Sequence, residues 1–246
     1  MNLRAARRAV TLAFAFTVSI FNLAITRLRG PFTPQRRALW LQSTAKLVIS
    51  SLGIKVRVTG RPPLSGILVS NHLSYLDIAI YAAISPSSMV AKAAIRNWPF
   101  FGMMARSSGA LFVDRSSRKS AVEVTNQVAQ RLREPIPVLF FPEGTSTNGE
   151  KVLRFHSRLF TPAVEAGIPI TAASVRYVVE DGTPERELCW FGNDILLPHM
   201  WKVLGAAGFT AEVQFGEPHI YPDRRTAADR THAEVEAMRA GELVLQ

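Results

Sequence analysis

The chain has 246 residues, of which 48% are hydrophobic, and a formal net charge of +10. This length supports one sizeable core, or one domain with a small appendage, and the single cysteine, Cys189, excludes an intramolecular disulfide framework and a cysteine-based zinc site. The charge is unevenly distributed, because residues 1–76 carry eleven basic residues and no Asp or Glu, whereas residues 77–246 carry 18 basic and 19 acidic residues.

The first predicted element is an apolar helix. Residues 9–26 form an uncharged run between Arg8 and Arg27, and 18 residues make a helix of roughly 27 Å, close to the thickness of a bilayer core. An anionic membrane surface is therefore a better partner for the basic N-terminal third than nucleic acid. A cleaved signal peptide and a buried core helix are the alternatives. Against the signal peptide, Arg follows the run directly, without a cleavage site of small residues.

A second helix is predicted over residues 36–52, after a turn at Gly30-Pro31. Two helices joined by a Gly/Pro turn and flanked by Arg predict a membrane-anchoring helical hairpin over residues 1–53. An ordinary corner of a helix bundle is the alternative.

Strands and helices alternate over residues 54–246, which predicts an α/β domain with a mixed, largely parallel sheet flanked by helices. Predicted strands cover residues 54–58, 66–70, 88–94, 110–113, 137–141, 168–175, 188–191 and 210–215. Predicted helices cover residues 75–84, 98–107, 119–132, 160–166, 198–205 and 227–240.

The first cluster of possible chemical importance contains His72 and Asp77. Residues five apart point away from each other on a continuous helix, so the two side chains can meet only if the chain bends between them. Ser74 is a suitable N-cap for a helix starting at Tyr75, which would leave His72 just before the helix and Asp77 in its first turns. A carboxylate bonded to one ring nitrogen prepares the other as a general base. The alternative is a surface His beside a capping acid.

Two further clusters follow predicted strands, where an open α/β sheet places its sites. Arg115 ends a segment that begins at Gly109, and a fixed guanidinium can hold a phosphate by two parallel bonds. An ordinary surface ion pair of Arg115 with Asp114 is the alternative. Residues 141–145 place the carboxylate of Glu143 directly after a very apolar strand, where an ordinary turn is the alternative.

Several other sites are excluded or disfavoured by the residues present. Glu150 stands where a phosphate-binding loop needs Lys, and dinucleotide and serine-hydrolase motifs are absent from the sequence. A metal site at His72, Asp77 and Glu143 is disfavoured, because no second His lies nearby in the sequence.

Taken together, the motifs resemble those of the glycerolipid acyltransferases of the bacterial 1-acyl-sn-glycerol-3-phosphate acyltransferase type. The family's four blocks are N-H-x4-D, G-x-x-F-x-x-R, F-P-E-G-T and an apolar strand containing V/I-P-I. They are matched in family order by Asn71, His72 and Asp77, by Gly109, Phe112 and Arg115, by residues 141–145, and by residues 167–170.

This resemblance implies direct acyl transfer without a covalent acyl-enzyme. His72 would be the general base, and Asp77 would hold its imidazole. Substrate binding would involve Arg115, Glu143, Gly144 and Thr145. No cofactor is implied, since acyl-CoA or acyl-carrier protein would be the acyl-donor substrate.

The resemblance also implies a lyso-lipid acceptor drawn from the inner (cytoplasmic) membrane, with the catalytic domain on the cytoplasmic side. Lysophosphatidate, giving phosphatidate in phospholipid synthesis, is the first expectation. The family's Lys-rich segment after the third block is replaced here by residues 154–158, which are Arg-Phe-His-Ser-Arg. Lyso-ornithine lipid or a lysophospholipid is therefore the alternative acceptor. A membrane-surface scaffold protein and a nucleic-acid-binding protein are the non-enzyme alternatives.

Overall fold

A seven-stranded sheet forms the centre of the computed structural model, which describes residues 2–114 and 118–242. Its strands are β1 (Ile54–Thr59), β2 (Ile67–Ser70), β3 (Ser88–Lys92), β4 (Leu111–Val113), β5 (Val138–Phe140), β6 (Ile170–Val178) and β7 (Phe209–His219). The strand order is β1-β7-β6-β2-β5-β3-β4. The five strands from β6 to β4 are parallel, whereas β7 is antiparallel to β6 and parallel to β1. The prediction of a mixed, largely parallel sheet is confirmed.

Helices cover both faces of this sheet. They are α1 (Leu3–Leu28), α2 (Pro34–Leu52), α3 (Leu76–Ile84), α4 (Pro99–Ser108), α5 (Arg118–Arg131), α6 (Thr161–Glu165), α7 (Leu196–Gly205) and α8 (Arg224–Ala240). Side chains of α1, α2, α3 and α7 form the core on one face, and those of α5, α6 and α8 form the core on the other. Central strands such as β2 are consequently buried on both faces, which explains their continuous apolar sequence.

Helices α1 and α2 pack side by side as the predicted hairpin. The Thr33 side chain caps α2 by accepting from the backbone N–H of Arg36, and Gly53 ends the helix in a left-handed conformation (φ 70°). The indole N–H of Trp40 donates to the carbonyl of Ser19 across the hairpin, at 2.9 Å. Within the described part of the chain, α1 is the one helix long and apolar enough to cross a membrane, with a mean hydropathy of 1.9 over its most apolar 18 residues.

Two predicted strands differ from the structure. The strand predicted over residues 88–94 ends at Lys92, where a 3₁₀ helix (Ala93–Asn97) begins. The strand predicted over residues 188–191 is wrong. These residues form a loop in which Leu188 and Cys189 are buried in the core. A buried loop needs apolar residues just as a buried strand does, so the composition of the run resembles that of a strand.

Candidate active site

His72 and Asp77 lie at the carboxyl edge of the parallel strands. Strand β2 ends at Ser70, and its neighbours β5 and β6 end at the same edge. The Nδ1 atom of His72 lies 2.8 Å from Oδ2 of Asp77. The predicted bend is confirmed, since His72 precedes α3 and Asp77 is its second residue.

The start of α3 differs slightly from the prediction. The helix begins at Leu76, and Tyr75 stands at its N-cap position without a capping side chain. The Ser74 hydroxyl still accepts from the N–H of Leu76 at 3.4 Å, while the N–H of Asp77 donates to the Ser74 carbonyl at 3.1 Å. This tight first turn brings the Asp77 carboxylate back toward the His72 ring.

Four donors converge on the fully buried Asp77 carboxylate. Its Oδ2 accepts from the His72 ring and from the backbone N–H groups of Leu73 and Ser74, at 2.7 and 3.0 Å for the last two. Its Oδ1 accepts from the hydroxyl of Tyr177. Because an ionised carboxylate accepts and cannot donate, Nδ1 of His72 carries a hydrogen and Nε2 is left as the basic nitrogen.

Tyr177 was not predicted as a site residue. It lies on β6, 100 residues after Asp77, so no local spacing could reveal the contact. The available signal was a Tyr in a strand otherwise rich in small apolar residues, because a buried phenol needs a partner for its hydroxyl.

Glu143 braces the loop that carries His72. Its Oε1 accepts from the backbone N–H of His72 and its Oε2 from that of Leu153, both at 2.7 Å. Burial raises the pKa of Glu143 to about 7, and the hydrogen bonds from the two backbone N–H groups oppose this by lowering it. Glu143 is 4% exposed. The resemblance implied contact with the acceptor, which stays a prediction; in the structure each carboxylate oxygen accepts one hydrogen bond from the protein's own backbone.

Asn71 fastens the same loop to β6. Its side chain accepts from the N–H of Val175 at 2.9 Å and donates to the Val175 carbonyl at 3.1 Å. A side-chain amide therefore continues the pairing of β2 with β6 beyond the end of the β2 backbone ladder.

The other predicted substrate-binding residues lie around this loop. Gly144 adopts φ 82° in the turn after β5, as its residue type predicted. Thr145 is exposed beside it. Thr147 contacts the loop that carries His72 directly, since its backbone N–H donates to the His72 carbonyl at 2.9 Å. Arg115 lies outside the described residues.

Two residues of the Arg115 block are described. Gly109 ends α4 in a left-handed conformation (φ 75°), and a Cβ there would lie 3.0 Å from Cδ of Arg37. It therefore serves as the C-cap of α4, and β4 begins two residues later at Leu111. Phe112 lies in β4 under the guanidinium of Arg96, 5.7 Å from the ring centroid.

An apolar cavity of about 210 Å³ reaches the loop that carries His72. Phe141 lines it and stacks on the His72 ring, with centroids 4.0 Å apart and planes 12° apart. Tyr75 and Leu76, from the segment between His72 and Asp77, also line it. The remaining wall comes largely from α1, α2, α4 and α7, so the hairpin and the domain enclose one space.

Over residues 2–114 and 118–242, no group of three or more His, Cys, Asp or Glu side chains is arranged to hold a metal ion.

Comparison with known proteins identifies the family. The Acyltransferase family model matches residues 55–176, which include the His72 loop, β5 and most of β6. Lyso-ornithine lipid O-acyltransferase of Pseudomonas aeruginosa is 34% identical over 218 residues, covering 88% of this chain and 83% of that protein. The chain belongs to this acyltransferase family. The 1-acyl-sn-glycerol-3-phosphate acyltransferase of Neisseria gonorrhoeae is 32% identical to this acyltransferase over 187 residues, covering 74% of this chain and 72% of that protein.

The fold of the acyltransferase also has a solved relative. The crystal structure of the 1-acyl-sn-glycerophosphate acyltransferase PlsC of Thermotoga maritima superposes with a TM-score of 0.69, at 16% sequence identity. The match covers 99% of this chain and all of that one, so the fold, including the N-terminal helices, is shared. The family and the apolar α1 together indicate association with membranes.

Proposed function

We propose that the acyltransferase transfers a fatty acyl group from an acyl thioester to the free hydroxyl of a lyso-lipid, with His72 as the general base. The observation that carries this proposal is the His72–Asp77 bond of 2.8 Å beside an apolar cavity that shares Phe141 with the His72 ring. A proton acceptor and a space for an acyl chain therefore lie next to each other.

The reaction follows from the position of the His72 ring. The acceptor hydroxyl gives its proton to Nε2 as its oxygen attacks the thioester carbonyl. When the C–S bond breaks, the imidazolium returns that proton to the departing thiolate, so an ester and a free thiol are the products. Asp77 fixes the tautomer and stabilises the imidazolium, and the donors from Tyr177 and the backbone hold Asp77 in place.

A direct transfer is supported by the surroundings of His72. Among the described residues, no Ser, Thr or Cys side chain is hydrogen-bonded to the His72 ring. The thiol of Cys189 is buried and its pKa is raised by burial, so it is unsuited to nucleophilic attack.

The acceptor is proposed as lysophosphatidate, with its head group positioned by Arg115, Glu143, Gly144 and Thr145. Lyso-ornithine lipid is the second candidate, favoured by the Pseudomonas relative, which matches more of this chain than the Neisseria relative does. Supplying both acceptors and lysophosphatidylcholine to one preparation, with acyl-CoA and then acyl-carrier protein as donor, and ranking kcat/KM decides between them.

The proposed site is the inner (cytoplasmic) membrane with the α/β domain in the cytoplasm, because acyl-CoA and acyl-carrier protein are found there. We also propose that residues 1–53 anchor the domain of residues 54–246. The basic, acid-free N-terminal third supports both points. Protection of the α/β domain from protease added outside intact spheroplasts is the expected result, and its digestion would contradict the orientation.

The decisive variant is His72→Ala. Loss of the general base should lower acceptor-dependent thiol release by about 100-fold or more, with the melting temperature preserved. His219→Ala, at the opposite edge of the sheet beside Ile170, is the matched control and should retain activity. Full turnover by a folded His72→Ala protein would refute the mechanism.

A further inference from the structure

Exposed apolar side chains outside the hairpin are concentrated in one segment. In the described residues, ten large apolar side chains outside α1 and α2 are exposed, and four of these lie within residues 191–201. They are Phe191, Ile195 (70% exposed), Leu197 (72%) and Trp201 (49%). Single exposed apolar residues are normal, but a cluster of this kind marks a surface for interaction.

Helix α7 presents apolar residues on several sides. Leu197 and Trp201 are four positions apart and share its outward face. The neighbouring face, with Leu196 and Met200, lines the apolar cavity, and Val203 is buried in the core. One side of this helix is therefore the cavity wall, and the adjoining side is an apolar surface on which Leu197 and Trp201 are exposed.

Helix α7 is fastened to the N-terminal half of α1. The guanidinium of Arg8 donates to the carbonyls of Ala206 and Leu204, at 2.7 and 3.4 Å, at the end of α7. The Asn2 side chain donates to the Gly205 carbonyl at 3.3 Å. Leu12 of α1 lines the cavity together with residues of α7. A membrane that receives α1 therefore lies within reach of α7.

The side of α1 that faces away from the protein has the composition of a membrane-contacting surface. Five of its six exposed large apolar residues follow one side of the helix at spacings of four and seven, namely Leu3, Val10, Phe14, Phe21 and Leu28. The exposed Arg4 and Arg7 lie at the same end as α7, and residues 1–76 contain no acid that would repel anionic lipid.

We propose that the outward face of α7, formed by Leu197 and Trp201, enters the interface of an anionic bilayer beside α1. Trp is the side chain favoured at that depth, since its ring is apolar and its N–H remains in the polar layer. The α7 side of the cavity wall then lies at the bilayer surface, where acyl chains can exchange. This last point rests on the proposed function, whereas bilayer contact by α7 does not.

Tryptophan fluorescence tests the contact directly. Vesicles of phosphatidylglycerol and phosphatidylcholine with brominated acyl chains should quench the wild-type protein more than Trp201→Phe, because Trp201 is one of four tryptophans and Trp40 is buried. The conservative Phe preserves packing and binding. Equal fractional quenching of the two bound proteins would overturn the proposal.

A double variant tests the energetic contribution of this face. Leu197→Ser/Trp201→Ser should weaken partitioning into these vesicles by about tenfold or more. Turnover of vesicle-borne acceptor should fall in parallel, whereas thiol release from short-chain, water-soluble donor and acceptor should be unchanged. Leu64→Ser/Ile220→Ser is the control and should bind as the wild type does, since both residues are exposed and lie at the opposite edge of the sheet.

The outcomes separate this inference from the proposed function. Absence of thiol release with soluble substrates in the wild type would refute the function but leave the quenching and partitioning results valid. Unchanged partitioning of the α7 double variant would overturn the inference. A change from dimer to monomer in detergent, with vesicle binding intact, would also overturn it by showing that a second copy covers this face.

Discussion

At the residue scale, the candidate site depends on one carboxylate held by several donors. Asp77 takes hydrogen bonds from the His72 imidazole, two backbone amides and a phenol. These donors leave the carboxylate little freedom to rotate, so the His72 ring is fixed before any substrate binds. Tyr177 is therefore a positioning residue, because its hydroxyl holds the Asp77 carboxylate that orients His72.

Tyr177→Phe should lower kcat by about tenfold and leave KM unchanged. The lost hydrogen bond is one to a charged group, and its loss costs up to about 3 kcal/mol, whereas a tenfold fall in kcat corresponds to about 1.4 kcal/mol. Steady-state kinetics with a soluble acceptor measure both constants. Tyr81→Phe is the matched control, since its buried hydroxyl contacts Ser70 instead of Asp77. A similar fall in kcat for both variants would indicate a structural effect only.

Glu143 predicts a pH dependence of stability. Its pKa is about 7 in the folded protein and near 4.5 in a solvated chain, so between these values the folded protein retains a proton that the unfolded chain has lost. The stabilising contribution of this proton is therefore complete below about pH 4.5 and is lost as the pH rises through 7. The free energy of unfolding should fall across this window.

Glu143→Gln provides the comparison for that pH series. Gln cannot titrate, so the fall between pH 4.5 and 7 should be smaller in the variant. Its amide also offers one acceptor oxygen to two backbone donors, so the variant should be less stable at every pH, by about 1–3 kcal/mol. Denaturant unfolding at several pH values measures both effects. Parallel pH profiles for the two proteins would contradict the assignment to Glu143.

At the scale of elements, β2 and β6 are joined beyond their backbone ladder by Asn71. Asn71→Ala would leave the buried N–H of Val175 without a partner, while the Val175 carbonyl would keep its bond from Arg239. The expected loss of stability is about 2 kcal/mol, measured by thermal or denaturant unfolding. Asn148→Ala, which removes only a local bond to the N–H of Glu150, should change stability much less.

Elements with strong local patterns were predictable from the sequence, and those defined by distant contacts were not. The alternation of apolar and basic residues over 54–58 identified β1, and an apolar run between turn residues identified β2. The run at residues 188–191 has the same composition, but it is buried as a loop, so composition alone was misleading. The His72–Asp77 contact was predictable because both residues belong to one bend. The contacts of Tyr177 and Asn71 depend on β6 lying beside β2, which no spacing encodes.

At the scale of the whole molecule, the hairpin and the α/β domain share one core and one cavity. Leu12 of α1 and Ala45 of α2 pack in the same cluster as residues of β6 and β7, and both line the apolar cavity. The hairpin is therefore part of the proposed acyl-binding space as well as the proposed anchor.

Filling this space should change the preferred length of the acyl donor. Ala79 of α3 lines the cavity, so Ala79→Leu should lower kcat/KM for long donors relative to short ones by about tenfold. A series of acyl-CoA chain lengths measures the ratio. Ala233→Leu, on an exposed position of α8, should leave it unchanged. An equal loss at every chain length would argue against this cavity as the acyl site.

The bonds from Arg8 to the end of α7 also bear on the order of events during translation. At 5–20 residues per second, α1 leaves the ribosome roughly 10 to 30 s before α7, which follows about 170 residues later. If residues 1–53 anchor the protein as proposed, α1 would meet the bilayer before α7 has been synthesised. On this proposal, α7 would replace lipid on the side of α1 to which Arg8 holds it. Folding of the α/β domain would then be completed at the membrane surface, with the nascent chain already tethered there.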